Sequence, residues 1–321
     1  MTVSRSASSG AHSHPHEPAS ARAAQERTPY VSVLLPTMQA WPAVAPALES
    51  LLTQGTTENF EILVIDGHGG HGSGTHASGH PPMVRWLSHP GLDTFGLRTA
   101  GLMAAKGTVV AITEDHCFVP SDWVDSIAKA HRENDAVALV GITKNHPASA
   151  TSALDRANFV LTFAGQNNVR LGIDRQRLPV PTNVSFKRSA LAAAGLQPGD
   201  LEYFWLHELR QSEQLDTAPG VVLEHKQRWG RATLRVHFAS GCSYGASVRQ
   251  WPWRPRAAWW LRLPLLPVRL FRMVGPDLFG GAGGTAAGAA DVFCVLALIT
   301  ANVVGQLKGA LFGAGASRGK L

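Results

Sequence analysis

The chain has 321 residues, of which 45% are hydrophobic and only 16% charged, a balance that excludes a disordered polymer, since disorder needs few apolar groups and many charges. The formal net charge is +6, so the location of the positive charge matters. Cys117, Cys242 and Cys294 are far apart with no CxxC pair, which suits a reducing compartment and argues against a disulfide framework or a cysteine zinc site.

Residues 1–28 are rich in Ser, Ala, His and Pro and carry no apolar run. The stretch has no secretory signal of the usual kind and is expected to be a disordered tail. His12, His14 and His16 alternate in it, but nothing nearby completes a metal site. Without a signal, the rest of the chain is expected on the cytoplasmic side.

From residue 29 onward, strand and helix patterns alternate. Val31–Leu35 is a short β-branched run closed by Pro36. Residues 42–53 place Val44, Leu48, Leu51 and Leu52 at helical spacing, with proline near the start, where it is tolerated. Phe60–Ile65 is a second apolar run closed by Asp66-Gly67, and Val84–Leu87 is a short third. Leu97–Ala105 suits a helix stopped by Gly107. Val109–Thr113 is a fourth strand leading into Glu114-Asp115-His116, after which Ser121 is placed to cap a helix running to about Ala130. Strands alternating with helices predict an α/β domain with a mostly parallel sheet covered on both faces. Ligands bind such sheets at the carboxyl ends of the strands, the edge where Asp66, Glu114 and Asp115 lie.

Glu114 and Asp115 are two hard oxygen donors on one loop. They suit Mg²⁺ or Mn²⁺ bridging the phosphates of a nucleotide; the alternative is a surface acidic pair capping the next turn. The histidines of the glycine-rich stretch 67–80 have no fixed metal spacing. That stretch is expected to be a flexible loop, with a lid over a ligand as the alternative. Neither a Ser/His/Asp arrangement nor a P-loop motif is present.

In order, the segments VSVLLPT, SLLTQ, FEILVIDG, LRTAGLMAAKGTVVAITEDH and PTNVSFKRSALAAAG resemble the inverting, nucleotide-sugar-dependent glycosyltransferases of family 2, which have the GT-A fold. The C-terminal region is more loosely similar to the tails of bacterial members that build surface polysaccharides. The resemblance covers residues 29–250 and implies a metal-dependent transfer of a sugar from a nucleotide-diphosphate donor to a lipid-linked or polysaccharide acceptor. By position, Pro36, Thr37 and Asp66 would line the nucleoside pocket, Arg98 would sit near the phosphates and Glu114 near ribose or sugar. Asp115 would be the main carboxylate ligand of the metal. His225 would be a third metal ligand, against a plain strand-end histidine. His116 is either a further nitrogen ligand or part of the pocket wall. In WLHELRQSEQL the resemblance makes Glu208 the general base, with His207 as the alternative; the other reading of Glu208 is an exposed acid paired with Arg210. Two departures stand out: Gly67 where relatives often carry a second acid, and Glu114 in place of an aspartate. They keep open a catalytically inactive, membrane-bound scaffold. A sugar-activating nucleotidyltransferase would need a Gly-rich, basic signature after the first strand, and Pro36-Thr37-Met38-Gln39 does not supply it.

The end of the chain has another character. Lys226 to Pro276 holds ten basic residues, no acidic ones and five of the nine tryptophans. Rings at headgroup level, cations on phosphates and leucines below suit an interfacial segment on an anionic membrane; nucleic acid is the other reading of such a tract, disfavoured by its many leucines and few lysines. Pro264 and Pro267 exclude one long straight helix. Val292 to Leu307 is an uncharged stretch of 16 residues, short of the ~20 that cross a bilayer. Monotopic or re-entrant association, a true span and a core helix are its three readings. Residues 251–321 are therefore expected to associate peripherally or monotopically with the cytoplasmic face of the cell membrane. Arg228, Arg231 and Arg235 would either clamp the diphosphate or begin the basic belt.

Overall fold

A computed structural model describes residues 28–69, 81–149, 151–164, 181–198, 200, 205–227, 230–249, 251–280 and 287–315. The histidines of the first 28 residues, most of the loop 67–80 and Arg228 lie outside them.

Eight strands form one sheet: β1 (Val31–Thr37), β2 (Phe60–Asp66), β3 (Val84–Ser88), β4 (Val109–Ile112), β5 (Cys117–Phe118), β6 (Ala138–Asn145), β7 (Val184–Lys187) and β8 (Leu215–His225), in the order β3-β2-β1-β4-β7-β6-β8-β5. The β3-β2-β1-β4 half is parallel throughout. β7 enters antiparallel between β4 and β6, and β5 is antiparallel to β8. The sheet is therefore a mixed α/β sheet of the GT-A kind.

Its strands read as continuous apolar runs because both faces are covered. Val31, Val33, Leu35, Ile62 and Val64 pack with helices α1 (Ala45–Leu52) and α3 (Trp123–Glu133). Leu34, Leu63, Ile65, Val110 and Ile112 face α2 (Thr94–Ala104), α5 (Arg188–Ala194) and α6 (Leu206–Gln211). Glu61, an acid within the second run, is buried but satisfied: its Oε1 accepts from Ser32 Oγ at 2.7 Å and Lys106 N at 2.8 Å, and its Oε2 from Arg85 at 2.6 Å.

Several boundaries differ from expectation. β1 runs through Pro36 to Thr37; β4 pairs only as far as Leu34, so proline's missing N–H falls where that side of the strand has no ladder. α2 begins earlier, at Thr94, because Asp93 caps it by accepting from Gly96 N at 2.8 Å. The cap position of α3 belongs to Asp122 rather than Ser121, without a side-chain hydrogen bond.

Beyond β8, α7 (Thr233–Val248) leads into α8 (Trp253–Arg262), a 3₁₀ turn at Leu263–Leu265 containing Pro264, α9 (Leu266–Phe279) with Pro267 in its first turn, and α10 (Ala289–Phe312). The prolines break the Trp/Arg segment where the sequence places them. α7 and α10 run parallel in close contact. A Cβ on Gly241 or Gly245 would lie 2.1 or 2.0 Å from a carbonyl oxygen of α10, and one on Gly305 or Gly309 equally close to α7. Only glycine admits that approach. A third apolar cluster, including Ala157, Val274, Val295 and Leu298, fastens α9 and α10 to α4 (Ala153–Phe159), and Arg156 of α4 pairs with Asp291 of α10 at 2.8 Å.

Candidate functional site

A cleft opens at the carboxyl edge of the parallel strands. Pro36 and Thr37 at the end of β1, Arg98 from α2, the loop after β4 and the end of β8 meet there. The loop Thr113–His116 is drawn to β8 because β5 pairs antiparallel with it: Cys117 stands opposite His225, and Lys226 N donates to His116 O at 3.0 Å. The sheet thus brings together two histidines 109 residues apart, with Nε2 atoms 2.9 Å from one another.

Glu114 Oε2 completes a triangle, 3.2 Å from His116 Nε2 and 3.2 Å from His225 Nε2. These three groups could hold a metal ion. An octahedral ion with ligands at about 2.1 Å sets adjacent donor atoms about 3 Å apart, so the spacing fits one face of such a shell. Two imidazoles and one carboxylate also form a donor set that suits first-row divalent metals.

The surrounding bonds fix these ligands. Glu114 Oε1 accepts from Arg98 at 2.8 Å and from Thr182 Oγ1 at 2.7 Å. Burial works to raise the Glu114 carboxyl, but the His225 bond, His116 and Arg98 outweigh it and hold the group well below the usual carboxylate range. Asp115 turns both oxygens to neighbours: Oδ1 lies 2.7 Å from His116 Nδ1, and Oδ2 accepts from Thr37 Oγ1 at 2.8 Å. Carboxylates that orient a ligating histidine sit in this way behind metal centres. Burial, with Glu114 nearby, pushes the Cys117 thiol well up, so it is not a nucleophile.

Of the residues singled out from the sequence, Pro36, Thr37, Arg98, Glu114, Asp115 and His225 all line this cleft. Asp66 stands beside Thr37 in the β1–β2 register, buried at the same edge. Its Oδ1 accepts from His68 N at 2.8 Å and Gly69 N at 3.2 Å, so it shapes the turn after β2. Glu208 is exposed on α6 and is not in the cleft lining; of His207, on the same helix, only the backbone is described. Sequence reasoning missed Thr182, the π-helical turn Val160–Ala164 that contributes Thr162 and Phe163, and the α7 wall of Val236, His237 and Ser240. Thr182 lies in the PTNVSFKRSALAAAG segment but is not singled out by it, and no motif flags the others, because their role comes from packing across the sheet edge.

The Glycosyl transferase family 2 model matches residues 32–193. The chain belongs to glycosyl transferase family 2. This glycosyltransferase has no match among curated protein sequences. Among solved structures it is similar to the mannosyltransferase PcManGT from Pyrobaculum calidifontis, in complex with GDP-Man and Mn²⁺. The TM-score is 0.52 at 17% identity, covering 88% of each chain; at that identity the likeness shows the fold. It also matches S. aureus TarS 1–349 in complex with UDP-GlcNAc, with a TM-score of 0.41 and 13% identity over 62% of this chain. It spans 58% of that TarS chain.

Proposed function

We propose that this glycosyltransferase moves a sugar, with inversion, from a nucleoside-diphosphate donor to a lipid-linked acceptor at the cytoplasmic face of a membrane. Glu114, His116 and His225 would hold a divalent ion there, and the triangle of their donor atoms is the observation that carries the reading. Two imidazoles favour Mn²⁺ over Mg²⁺. When bound, the ion supplies charge stabilisation to the departing diphosphate. The chain's own residues do the rest. Thr37 and Pro36 shape the nucleoside side, with Asp66 holding the adjoining turn. Arg98, kept in place by Glu114, adds positive charge beside the phosphates. Asp115, made the main metal ligand by family resemblance, is assigned here the orientation of His116 through its 2.7 Å contact.

A lipid-linked acceptor is favoured over a free polysaccharide by the cleft wall. α7, which supplies that wall, is packed on α10, and α10 turns Phe293, Leu296, Val304, Leu307 and Leu311 outward. α10 has 24 residues, with a mean hydropathy of 1.8 over an 18-residue window, long and apolar enough to cross a membrane. Its packing on α7 and its Arg156–Asp291 pair support lying against the bilayer instead, with the arginines of α8 and α9 at the headgroups.

The test is a panel of nucleotide sugars assayed for transfer with and without Mn²⁺, using the wild type and Glu114→Ala. Mn²⁺-dependent transfer by the wild type alone is expected. Neither turnover nor metal-dependent nucleotide binding by the wild type would favour the inactive scaffold. Full activity in Glu208→Gln would remove Glu208 from the base role that resemblance gives it.

A further inference from the structure

A hydrogen-bonded chain leaves the metal-ligand triangle on the side of His225 and ends in the cleft wall. Gln227, two residues beyond His225, places Nε2 3.1 Å from His225 Nδ1, and its backbone N–H is anchored on Ser149 Oγ at 2.9 Å. Asn158 of α4 donates from Nδ2 to Gln227 Oε1. Asn158 Oδ1 lies 2.7 Å from His237 Nε2, on α7. Both amides are buried. The Phe163 ring packs against His225, with ring centroids 4.5 Å apart. Gln227 and His237 lie beyond residues 32–193, the part matched by the family.

Each primary amide has one donating and one accepting end. Two of them between two imidazoles can therefore make every bond in either of two opposite directions. In one direction His237 Nε2–H donates to Asn158, Asn158 to Gln227, and Gln227 to His225 Nδ1. The His225 proton is then on Nε2, facing Glu114 and occupying the lone pair that a cation needs. With both amides turned over, His225 Nδ1–H donates to the Gln227 oxygen, the Nε2 lone pair faces the triangle, and His237 Nε2 becomes an acceptor. Half-measures leave a buried donor facing a donor with neither satisfied, which a dry interior penalises, so the chain switches as a unit.

We propose that Gln227 and Asn158 are positioning residues that set the tautomer of His225, and that through them cation occupancy of the triangle switches His237 in the cleft wall from hydrogen-bond donor to acceptor. This rests on the metal reading above and extends it to the wall where an acceptor would lie. Desolvation holds His237 at a pKa of about 4, so it is neutral at physiological pH and either tautomer is open to it.

Mn²⁺ titration of the full chain, followed by electron paramagnetic resonance without donor, tests this. Gln227→Leu is expected to weaken Mn²⁺ binding about 10–100-fold, the usual effect of removing the group behind a histidine ligand. Gln227→Glu is expected to bind at least as tightly as the wild type. Its carboxylate can only accept from Nδ1–H and so favours the ligating tautomer, an effect that lost packing would not produce. In ¹⁵N NMR of the wild type, the His237 proton is expected to move from Nε2 to Nδ1 on saturation with diamagnetic Zn²⁺. Wild-type binding with unchanged affinity in Gln227→Leu, or an unmoved His237 proton, overturns the relay alone. A wild type that binds no Mn²⁺ overturns the metal reading and the relay with it. Should Gln227→Leu fail to fold, Gln227→Glu and the wild-type NMR still decide.

Discussion

The sheet and the C-terminal helices distribute their polar and apolar groups differently. In the sheet, Val31, Val33, Leu34 and Leu35 are wholly buried and the chemistry sits at the strand ends. In α10, the buried side mixes Val295, Leu298 and Ile299 with Asp291, Gly305, Gln306 and Gly309, while Phe293 is 73% and Phe312 77% exposed. Water drives the first arrangement, because apolar area removed from it contributes about 25 cal/mol per Å². The second arrangement gives up that contribution on its outer face. Besides the apolar cluster with α4 and α9, it relies on close glycine contacts and one half-buried ion pair, features also used by helices that pack in lipid. The two regions are thus held together by different means, and α7 belongs to both: it packs on α10 and lines the cleft.

Several experiments can break or sharpen this contrast. The largest effect belongs to the strand-end cluster. Glu114→Gln removes the charge that pairs Arg98 and faces both histidines, and transfer should fall at least about 100-fold, the scale for one electrostatic contact in a reaction site. Binding to anionic vesicles should stay as it was; a loss of both would mean that the two regions are not separable.

Gly309→Leu forces a side chain toward Cys242 O, which a Cβ would already approach to 2.0 Å. α7 and α10 must separate, destabilising the helical region by about 2–3 kcal/mol. Limited proteolysis should cut the C-terminal helices first while the sheet resists, and the cleft wall should loosen. Unchanged protease resistance would count against the tight glycine packing.

Replacing Phe293, Leu296 and Leu311 together by serine should lower partition onto anionic vesicles about 100-fold, at roughly 1 kcal/mol for each side chain no longer buried in lipid. The melting temperature should stay put, since these groups face outward. A lower melting temperature with unchanged partition would instead show that the outward face is covered by protein.

The smallest effect is a pH dependence in the sheet domain. Burial, aided by Lys187, lowers His131 to about 4, and its Nε2 lies 2.8 Å from Ser185 Oγ. Unfolded, the histidine takes up a proton near pH 6.5, whereas in the folded state it does so only near 4. Between these values the unfolded chain binds more protons, so stability falls as pH falls. The expected loss is roughly 1–2 kcal/mol from pH 6.5 to 5. Thermal melts of His131→Gln should show a flatter slope over that window; an equal slope would place the sensitivity elsewhere.

Much of this was legible in the chain itself. The runs 31–35, 60–65 and 109–113 announced buried strands because a sheet covered on both faces imposes a local apolar pattern. Glu114 and Asp115 stood out because a carboxylate pair just after such a strand lies where ligands bind. The break at Pro264 followed from its ring. Other features were not legible, for equally physical reasons. β7 lies in a segment read for its family motif, and its antiparallel insertion is a matter of pairing. The turn-forming use of Asp66 and the exposure of Glu208 depend on which backbone groups happen to be near.

The sequence by itself determined the α/β alternation, the acids at the sheet edge and the basic, aromatic character of the tail, since each follows from composition or periodicity within a short window. Only the tertiary structure decided that His116, not Asp115, joins Glu114 and His225 in the triangle. It also decided that glycines 241, 245, 305 and 309 form one helix contact, and that α7 supplies a wall of the cleft. Those outcomes depend on groups more than sixty residues apart meeting through the antiparallel pairing of β5 with β8 and the packing of α7 on α10, and no local pattern encodes such a meeting.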